Sequence, residues 1–191
     1  MAAPIRTMII LVAVVAAFVI VGAPSIIPGC ENGKPRTPKP QPGALPTHTK
    51  VTVGGKVFTL ELALEQAKRF KGLSGRTEIP ADGGMLFVLP FPAQQTFVMR
   101  DCPVDIDIIY LDPTMKITAW HEMKAGPVRT EAQKVLDARG VNQEYEDLLF
   151  KYSSKFAAQY VIELKGGTIA PMGLKEGQKI EIDPALKLMC K

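Results

Sequence analysis

The stretch Thr96–Asp112, TFVMRDCPVDIDIIYLD, carries most of the sequence evidence for the fold. Its second half is an apolar run interrupted by acidic residues, which is typical of a strand in the core of a small sheet. Pro103 cannot donate a hydrogen bond to a neighbouring strand, so we expect an edge, a bulge or a bend there. The stretch therefore predicts one strand before Pro103 and another after it.

Other segments before and after this stretch also have strand character. Lys50–Ala63 reads as two short strands around Gly54-Gly55, a dipeptide typical of hairpin turns. Gly83–Phe91, GGMLFVLPF, is a continuous apolar run with turn residues on both sides, which predicts a buried strand. Further strands are predicted within Lys116–Met123, Ala158–Gly167 and the end of Ile169–Ile182.

Helical spacing is confined to short segments. Leu64–Leu73 has apolar residues at helical intervals and a glycine stop at Gly72. Thr130 and Gln133 form a capping box ahead of a second helix, and Asn142–Tyr152 predicts a third with Asn142 as its cap. Strands and helices do not alternate regularly. We predict a mainly β fold, a small antiparallel β-sandwich or partly closed barrel with two to three peripheral helices.

The N-terminus has the features of an export signal. Arg6 precedes an uncharged run of 16 residues, Met8–Ala23, which is shorter than the ~20 residues that span a membrane. The following residues, Ile26–Cys30, read IIPGC and resemble the lipobox of bacterial lipoproteins, with Cys30 as the lipidated residue. An uncleaved anchor and simple secretion are the alternatives. All three readings place the domain outside the cytoplasm. We predict an extracytoplasmic protein of the periplasm or cell envelope that is associated with the membrane through its N-terminus.

Composition suggests three parts: a signal peptide or anchor in residues 1–29, a Pro-rich linker in 30–46 and one globular β-rich domain in 47–191. Residues 31–46 contain five prolines and almost nothing that could be buried, which is typical of an extended spacer. Arg6 and the linker carry three of the four net positive charges, which leaves the domain at +1. This near-neutral domain does not predict nucleic-acid binding, although the sequence pI is 8.9. We expect a monomer.

Five blocks occur in an order that resembles a known family. They are KGLSGR at Lys71–Arg76, GGMLFVL at Gly83–Leu89, FVMRDCPVDIDIIYLD at Phe97–Asp112, YVIELKGG at Tyr160–Gly167 and GLKEGQKIEI at Gly173–Ile182. The order resembles the domain of unknown function 192 family of bacteria and archaea. Its pattern is Gly-Leu-Met-x-Arg, Gly-Met-Leu-Phe, Trp-Met-Lys-Asn-Thr leading into Pro-Leu-Asp-Ile-Ile-Phe, and Val-Leu-Glu-Leu-x-x-Gly. The likeness extends over Val51–Ile182.

This chain departs from the family pattern at several positions. Ser74 stands in place of methionine, Val98 in place of tryptophan and Asp101-Cys102 in place of Asn-Thr, and Gly126–Lys155 is longer than the family core. The resemblance implies a compact, mostly β domain that is often exported and has no established activity. It also matches Arg76 and Asp107 to an arginine and an aspartate of the family.

The first functional hypothesis is non-catalytic binding of a small molecule or an envelope protein partner. We expect polar groups to converge on an apolar floor, as in many ligand pockets. The predicted ligand-binding residues are Arg76, Gln94, Gln95, Arg100, Asp101 and Asp107. Arg76 and Asp107 are also expected to form a partly buried, bidentate ion pair between a turn and a core strand, a structural role. No cofactor or metal is expected.

The second hypothesis is a hydrolase or thiol enzyme that uses Cys102, His121 and Asp105/Asp107. A thiol, a histidine and a carboxylate are the groups that nucleophilic catalysis combines. Nothing in the sequence shows that the pKa of Cys102 is lowered, and Cys102 could also pair with Cys190. The chain has no zinc-ligand spacing, phosphate loop or GxSxG elbow.

The third hypothesis is a structural accessory. In that case the helical segment Thr130–Tyr152 makes the interaction, and the sheet only supports it.

Overall fold

The computed structural model describes residues 45–138 and 142–189 of the 191-residue chain. The strands in this part of the chain are β1 His48–Val53, β2 Lys56–Ala63, β3 Gly84–Phe97, β4 Ile106–Leu111, β5 Ile117–Met123 and β6 Tyr152–Lys165. They form one sheet in the order β1-β2-β3-β6-β4-β5. The predicted mainly β class is confirmed, and the six-stranded sheet is not closed into a barrel.

The sheet is mixed because β2 and β3 run parallel, with Glu61 opposite Met85 and Ala63 opposite Phe87. The other neighbouring strands are antiparallel, including the predicted hairpin in which Gly54-Gly55 joins β1 to β2. Parallel neighbours need a crossover connection, and a short helix with the chain that follows it supplies one between β2 and β3.

Apolar side chains cover both faces of the sheet. Ile109, Ile162 and other side chains on one face pack under the C-terminal segment, which contributes Leu174, Ile180 and Leu186. Side chains on the opposite face pack under the turns that follow the first helix and β3, and these contribute Leu73, Met99 and Cys102. The central strands are therefore buried on both sides, which explains their nearly continuous apolar runs.

The pair β3–β6 is long, and its two halves differ in exposure. Each strand has 14 residues, and the outer half of each is largely exposed. The pairing register shifts twice, between Val88 and Ala93 and between Gln94 and Thr96. Such irregularities bend a strand pair and redirect its side chains. The outer half of the pair is a projecting arm that forms one wall of a groove described below.

Four short helices are present in the described residues, against the two to three predicted. They are α1 Gln66–Lys71, α2 Glu131–Ala138, α3 Gln143–Asp147 and α4 Ala185–Leu188, with a 3₁₀ turn at Ala170–Met172. The predicted capping box before α2 is confirmed, since Thr130 and Gln133 bond each other's backbone N–H. Asn142 precedes α3, but its side chain makes no cap bond and donates to the Gln133 carbonyl oxygen at 3.1 Å.

Two predicted strands are much shorter than expected. The residues between β3 and β4, 98–105, form a loop, with Asp101 at a φ of 50°. Pro103 and this left-handed residue are incompatible with a continuous strand, so the prediction for Val98–Asp101 is wrong. The last predicted strand is reduced to an isolated bridge between Lys116 and Lys179.

Most of the predicted N-terminal features fall outside the part of the chain that the structure describes. The signal peptide or anchor, Cys30 and nearly all of the Pro-rich linker lie outside the described residues, as does Cys190. Within residues 45–138 and 142–189 there is no helix whose length and apolar character would let it cross a membrane.

Candidate functional site

A groove of about 450 Å³ lies between α1, the projecting arm of β3 and the loop that follows β3. This volume is in the range of small-molecule sites. We call it the α1–β3 groove. It is lined by Gln66, Arg69, Phe70, Ser74, Phe87, Leu89, Gln95, Thr96, Phe97, Val98, Arg100 and Glu146.

The floor of the groove is apolar and aromatic. Phe87 and Phe97 come from the two ends of β3, and their rings meet edge to face with centroids 5.2 Å apart. The register shifts between them turn the chain so that both rings reach the same place. Phe70 extends from α1 and is 79% exposed. A large apolar ring that solvent reaches beside a buried aromatic floor is a surface on which a flat ligand can stack.

Arg100 lies at the rim of the groove, where contacts with Glu146, Phe70 and Ser74 hold it in place. Its Nε and Nη2 atoms donate to the two carboxylate oxygens of Glu146 at 3.0 and 2.6 Å. The guanidinium carbon lies 5.5 Å from the centroid of the Phe70 ring, a cation–π distance. Ser74 holds the same residue through its backbone, donating from Oγ to the Arg100 carbonyl oxygen at 2.8 Å. Arg100 is thus fixed at the mouth of the groove.

Arg69 is the second cation of the groove. Its Nη1 donates to the backbone carbonyl oxygens of Leu64 and Val88. These bonds attach α1 to the neighbouring strand and hold the charge beside the aromatic floor. The groove therefore combines two guanidinium groups with one carboxylate.

Of the predicted ligand-binding residues, the structure brings Gln95 and Arg100 to the α1–β3 groove. Gln94 donates from Nε2 to Ser153 Oγ at 3.1 Å instead. Asp101 faces the other way and pairs with Arg129, which donates to it from its backbone N and Nε at 2.8 Å each. The predicted residues do not share one pocket, and their ligand binding stays a prediction.

The predicted ion pair between Arg76 and Asp107 is wrong. Arg76 forms its bidentate pair with Glu61 on β2, at 2.5 and 2.9 Å. This pair lowers the pKa of Glu61 through the hydrogen bonds from Arg76. Asp107 is buried on β4 and accepts the backbone N–H of Ile169 at 2.8 Å. It still secures a turn to a core strand, but the turn is a different one.

Glu163 is a buried carboxyl group that the sequence analysis did not select. It is 6% exposed, and its Oε2 has no hydrogen-bond partner in the described part of the chain. Burial raises its pKa to about 8, although the charge of Arg76 opposes the shift. The sequence signal for this buried carboxyl group was a glutamate inside the apolar run YVIEL, because glutamate is rarely buried without a partner.

Four of the five sequence blocks meet around Glu163. The backbone N–H of Gly75 donates to the Asp101 carbonyl oxygen at 2.7 Å, which joins the turn after α1 to the loop after β3. A Cβ placed on Gly72 would lie 3.3 Å from the Phe87 ring and 3.7 Å from Glu163 Oε2. Gly72 thus lets the turn lie directly over this carboxyl group, next to the floor of the groove.

The thiol of Cys102 is free and buried. Its sulfur contacts Ser74 Oγ at 3.9 Å and the Arg100 carbonyl oxygen at 3.4 Å. Burial raises the pKa of Cys102 to about 11. A thiol with a raised pKa is largely protonated at neutral pH and is a poor nucleophile.

The other candidate catalytic residues have separate partners. The Nε2–H of His121 donates to the Ser153 carbonyl oxygen at 2.8 Å, and the ring packs between Tyr110 and Tyr152. Asp105 accepts hydrogen bonds from Lys124 and the backbone of Ala125. In residues 45–138 and 142–189, no hydrogen bond connects His121 with Cys102 or Asp105.

No group of three or more His, Cys, Asp or Glu side chains that could hold a metal ion occurs among the described residues.

Comparisons with known proteins agree with the fold. The model of the domain of unknown function 192 family, described as "Uncharacterized ACR", matches residues 49–182. A crystal structure of a protein of unknown function from Novosphingobium aromaticivorans DSM 12444 is 28% identical, with a TM-score of 0.53 over 71% of this chain and 84% of that one. No curated protein matches.

A second crystal structure is similar in fold alone. It is of a protein described provisionally as a transcription regulator, from Sinorhizobium meliloti 1021. It is 22% identical, with a TM-score of 0.52, and the match covers 72% of this chain and 97% of that one.

Proposed function

Because the chain belongs to the domain of unknown function 192 family, for which no activity is described, we propose its function from the geometry of the α1–β3 groove. The protein is a non-catalytic binding domain whose groove holds a small molecule with an apolar body and a polar end. The observation that carries this proposal is the exposed Phe70 ring beside the aromatic floor and the fixed Arg100. Apolar surface with a few fixed polar groups is the usual composition of a ligand site.

The absence of an activated nucleophile among the described residues supports binding over catalysis. Cys102 is buried and has a raised pKa, and His121 bonds a backbone carbonyl rather than the thiol. Asp105 and Asp107 hold different turns and do not converge on one site. Acid–base or nucleophilic chemistry needs its groups within hydrogen-bond reach of one another.

We also propose that the domain is exported and held at a membrane by its N-terminal segment. The support is the sequence: Arg6, the apolar run Met8–Ala23, the IIPGC motif ending at Cys30, and the Pro-rich spacer. The location can be tested in a bacterial host by protease treatment of spheroplasts and by labelling with radioactive palmitate. We expect protease to reach the domain and Cys30→Ser to lose the label. A protein protected inside spheroplasts contradicts export.

Binding can be tested by equilibrium dialysis of the full-length protein against naphthalen-2-ylmethanol, a neutral aromatic probe that is measured by its fluorescence. We expect saturable binding of one probe per chain. Phe70→Ala removes the exposed wall of the groove and should weaken binding at least fivefold. Phe91→Ala is the matched control, because Phe91 is 76% exposed and does not line the groove.

Nonspecific uptake by the apolar N-terminal run is the same in all these proteins and cancels in the comparison. Equal loss of binding in Phe70→Ala and Phe91→Ala, or no saturable binding in the wild type, overturns the placement of the site.

A further inference from the structure

The pairing of Arg100 with Glu146 indicates the chemical class of the ligand. Both oxygens of the Glu146 carboxylate accept from the Arg100 guanidinium, at 3.0 and 2.6 Å, at the rim of the α1–β3 groove. This is the geometry in which arginine recognises a carboxylate. We infer that the ligand is a small aromatic or similarly flat monocarboxylate, and that its carboxylate replaces Glu146 on Arg100. The inference rests on the proposed function of the groove.

The charges at the groove favour an anionic ligand. Arg69 and Arg100 both line it, and Glu146 is the one acidic residue among the lining side chains. If Glu146 turns away, the Arg100 guanidinium is left without an acidic side chain in the groove wall. A ligand carboxylate then restores the balance, whereas a cationic ligand meets repulsion from both arginines.

Glu146 can leave Arg100 without loss of the segment that carries it. Helix α3 is held by Tyr145, which is buried and whose OH donates to the Pro127 carbonyl oxygen at 2.7 Å and accepts the Asp101 N–H at 3.1 Å. Leu149 is buried on the other side of Glu146. The side chains of Arg100 and Glu146 are 24% and 34% exposed, so the carboxylate can rotate into solvent. A ligand carboxylate that makes the same two hydrogen bonds replaces an equivalent contact, so the exchange does not leave Arg100 unpaired.

The remaining walls define the rest of the ligand. The Arg100 guanidinium carbon lies over the Phe70 ring, 5.5 Å from its centroid, and Phe97 also lines the groove. A carboxylate on Arg100 therefore places the attached body of the ligand against aromatic rings. Offset or edge-to-face contact with those rings favours a flat, apolar body.

The test compares 2-naphthoate with naphthalen-2-ylmethanol, its neutral counterpart, by equilibrium dialysis of the full-length protein at pH 7. The measured quantity is the preference, the Kd of the alcohol divided by the Kd of the carboxylate. We expect Glu146→Gln to raise the preference about threefold, because it removes the internal competitor. Arg100→Gln should lower it about tenfold, because it removes the guanidinium that binds the carboxylate. Glu131→Gln is the matched control, with the same loss of charge at an exposed pair with Lys134.

Each result decides between the two proposals. Saturable binding of the alcohol with an unchanged preference in Glu146→Gln and Arg100→Gln overturns the carboxylate inference and leaves the proposed binding function intact. A preference that rises equally in Glu131→Gln and Glu146→Gln also overturns the inference, because the effect is then one of net charge alone. If neither probe binds saturably, the proposed function fails and the inference fails with it.

Discussion

Arg76 and Glu61 join the turn after α1 to strand β2 through two parallel hydrogen bonds, Nη1 to Oε1 at 2.5 Å and Nη2 to Oε2 at 2.9 Å. Their side chains are 34% and 25% exposed, so the pair lies at the edge of the core. The pair secures the turn after α1, and this turn covers Glu163 and lies beside the α1–β3 groove. The pair adds a side-chain contact to the bonds by which Ser74 and Gly75 join the same turn to the loop after β3.

Replacement of Arg76 should therefore destabilise the domain. We expect Arg76→Ala to lower the free energy of unfolding by about 1–3 kcal/mol, and Arg76→Lys by a smaller amount, because lysine keeps the charge but not the bidentate geometry. Urea denaturation measures both. Lys179→Ala is the control, since its pair with Glu181 is exposed and should contribute nothing measurable. Equal urea midpoints for Arg76→Ala and Lys179→Ala would show that the Arg76–Glu61 pair does not stabilise the fold.

Glu163 should make the stability depend on pH. Its pKa is about 8 in the folded protein and near 4.5 when unfolded, so the folded state holds a proton that the unfolded state releases between these values. The stabilisation is complete below pH 4.5 and is lost as the pH rises through 8. Since one pKa unit is about 1.4 kcal/mol, Glu163→Gln should gain roughly 3–5 kcal/mol over the wild type between pH 4.5 and pH 9.

The measurement is urea denaturation of both proteins across this pH range. The other titrating groups are common to the two proteins and cancel in the difference. Parallel stability profiles for the wild type and Glu163→Gln are the contrary result, and they would mean that Glu163 titrates normally in the fold.

The Cys102 thiol should be inert in the native protein. A pKa of about 11 in place of 9 reduces its thiolate fraction at pH 7.5 roughly a hundredfold, and burial excludes the reagent as well. We expect iodoacetamide to label Cys102 only after unfolding, as followed by mass spectrometry of its peptide. Rapid labelling of the folded protein would revive the thiol-enzyme hypothesis with Cys102 as its nucleophile.

Asp107 should be needed for its hydrogen bond to the Ile169 backbone. Asp107→Ala leaves that buried N–H without an acceptor and should cost about 2–3 kcal/mol of unfolding free energy, whereas Asp107→Asn keeps an acceptor and should cost less. Thermal or urea denaturation of the two variants gives the comparison. If asparagine is as damaging as alanine, the role of Asp107 lies in its charge and not in this bond.

Local sequence patterns predicted local structure well. The segment Lys50–Ala63 predicted β1 and β2, Gly54-Gly55 predicted the hairpin between them, and Thr130 with Gln133 predicted the start of α2. Each of these signals depends on residues that are close together in the chain. The mainly β class followed from them.

Features that depend on distant pairing were not predicted. The parallel contact of β2 with β3 depends on how α1 packs, which no local pattern encodes. In the sequence, several acidic residues were possible partners for Arg76. The strand order places Glu61 of β2 beside it, so Glu61 is the partner. The contact of Arg100 with Glu146 joins residues that are 46 positions apart in the chain. These pairings determine the site, so the sequence alone did not define it.

The most direct test of the account is to locate a bound probe by two-dimensional ¹H–¹⁵N NMR of the full-length protein during titration with naphthalen-2-ylmethanol. We predict saturable shifts of backbone amides that are confined to α1, to Gln95–Arg100 and to the neighbourhood of Glu146. Amides of the edge strands β1 and β5 should stay unchanged. Shifts that cluster at those edge strands, or no saturable shift at any amide, would contradict a binding site in the α1–β3 groove.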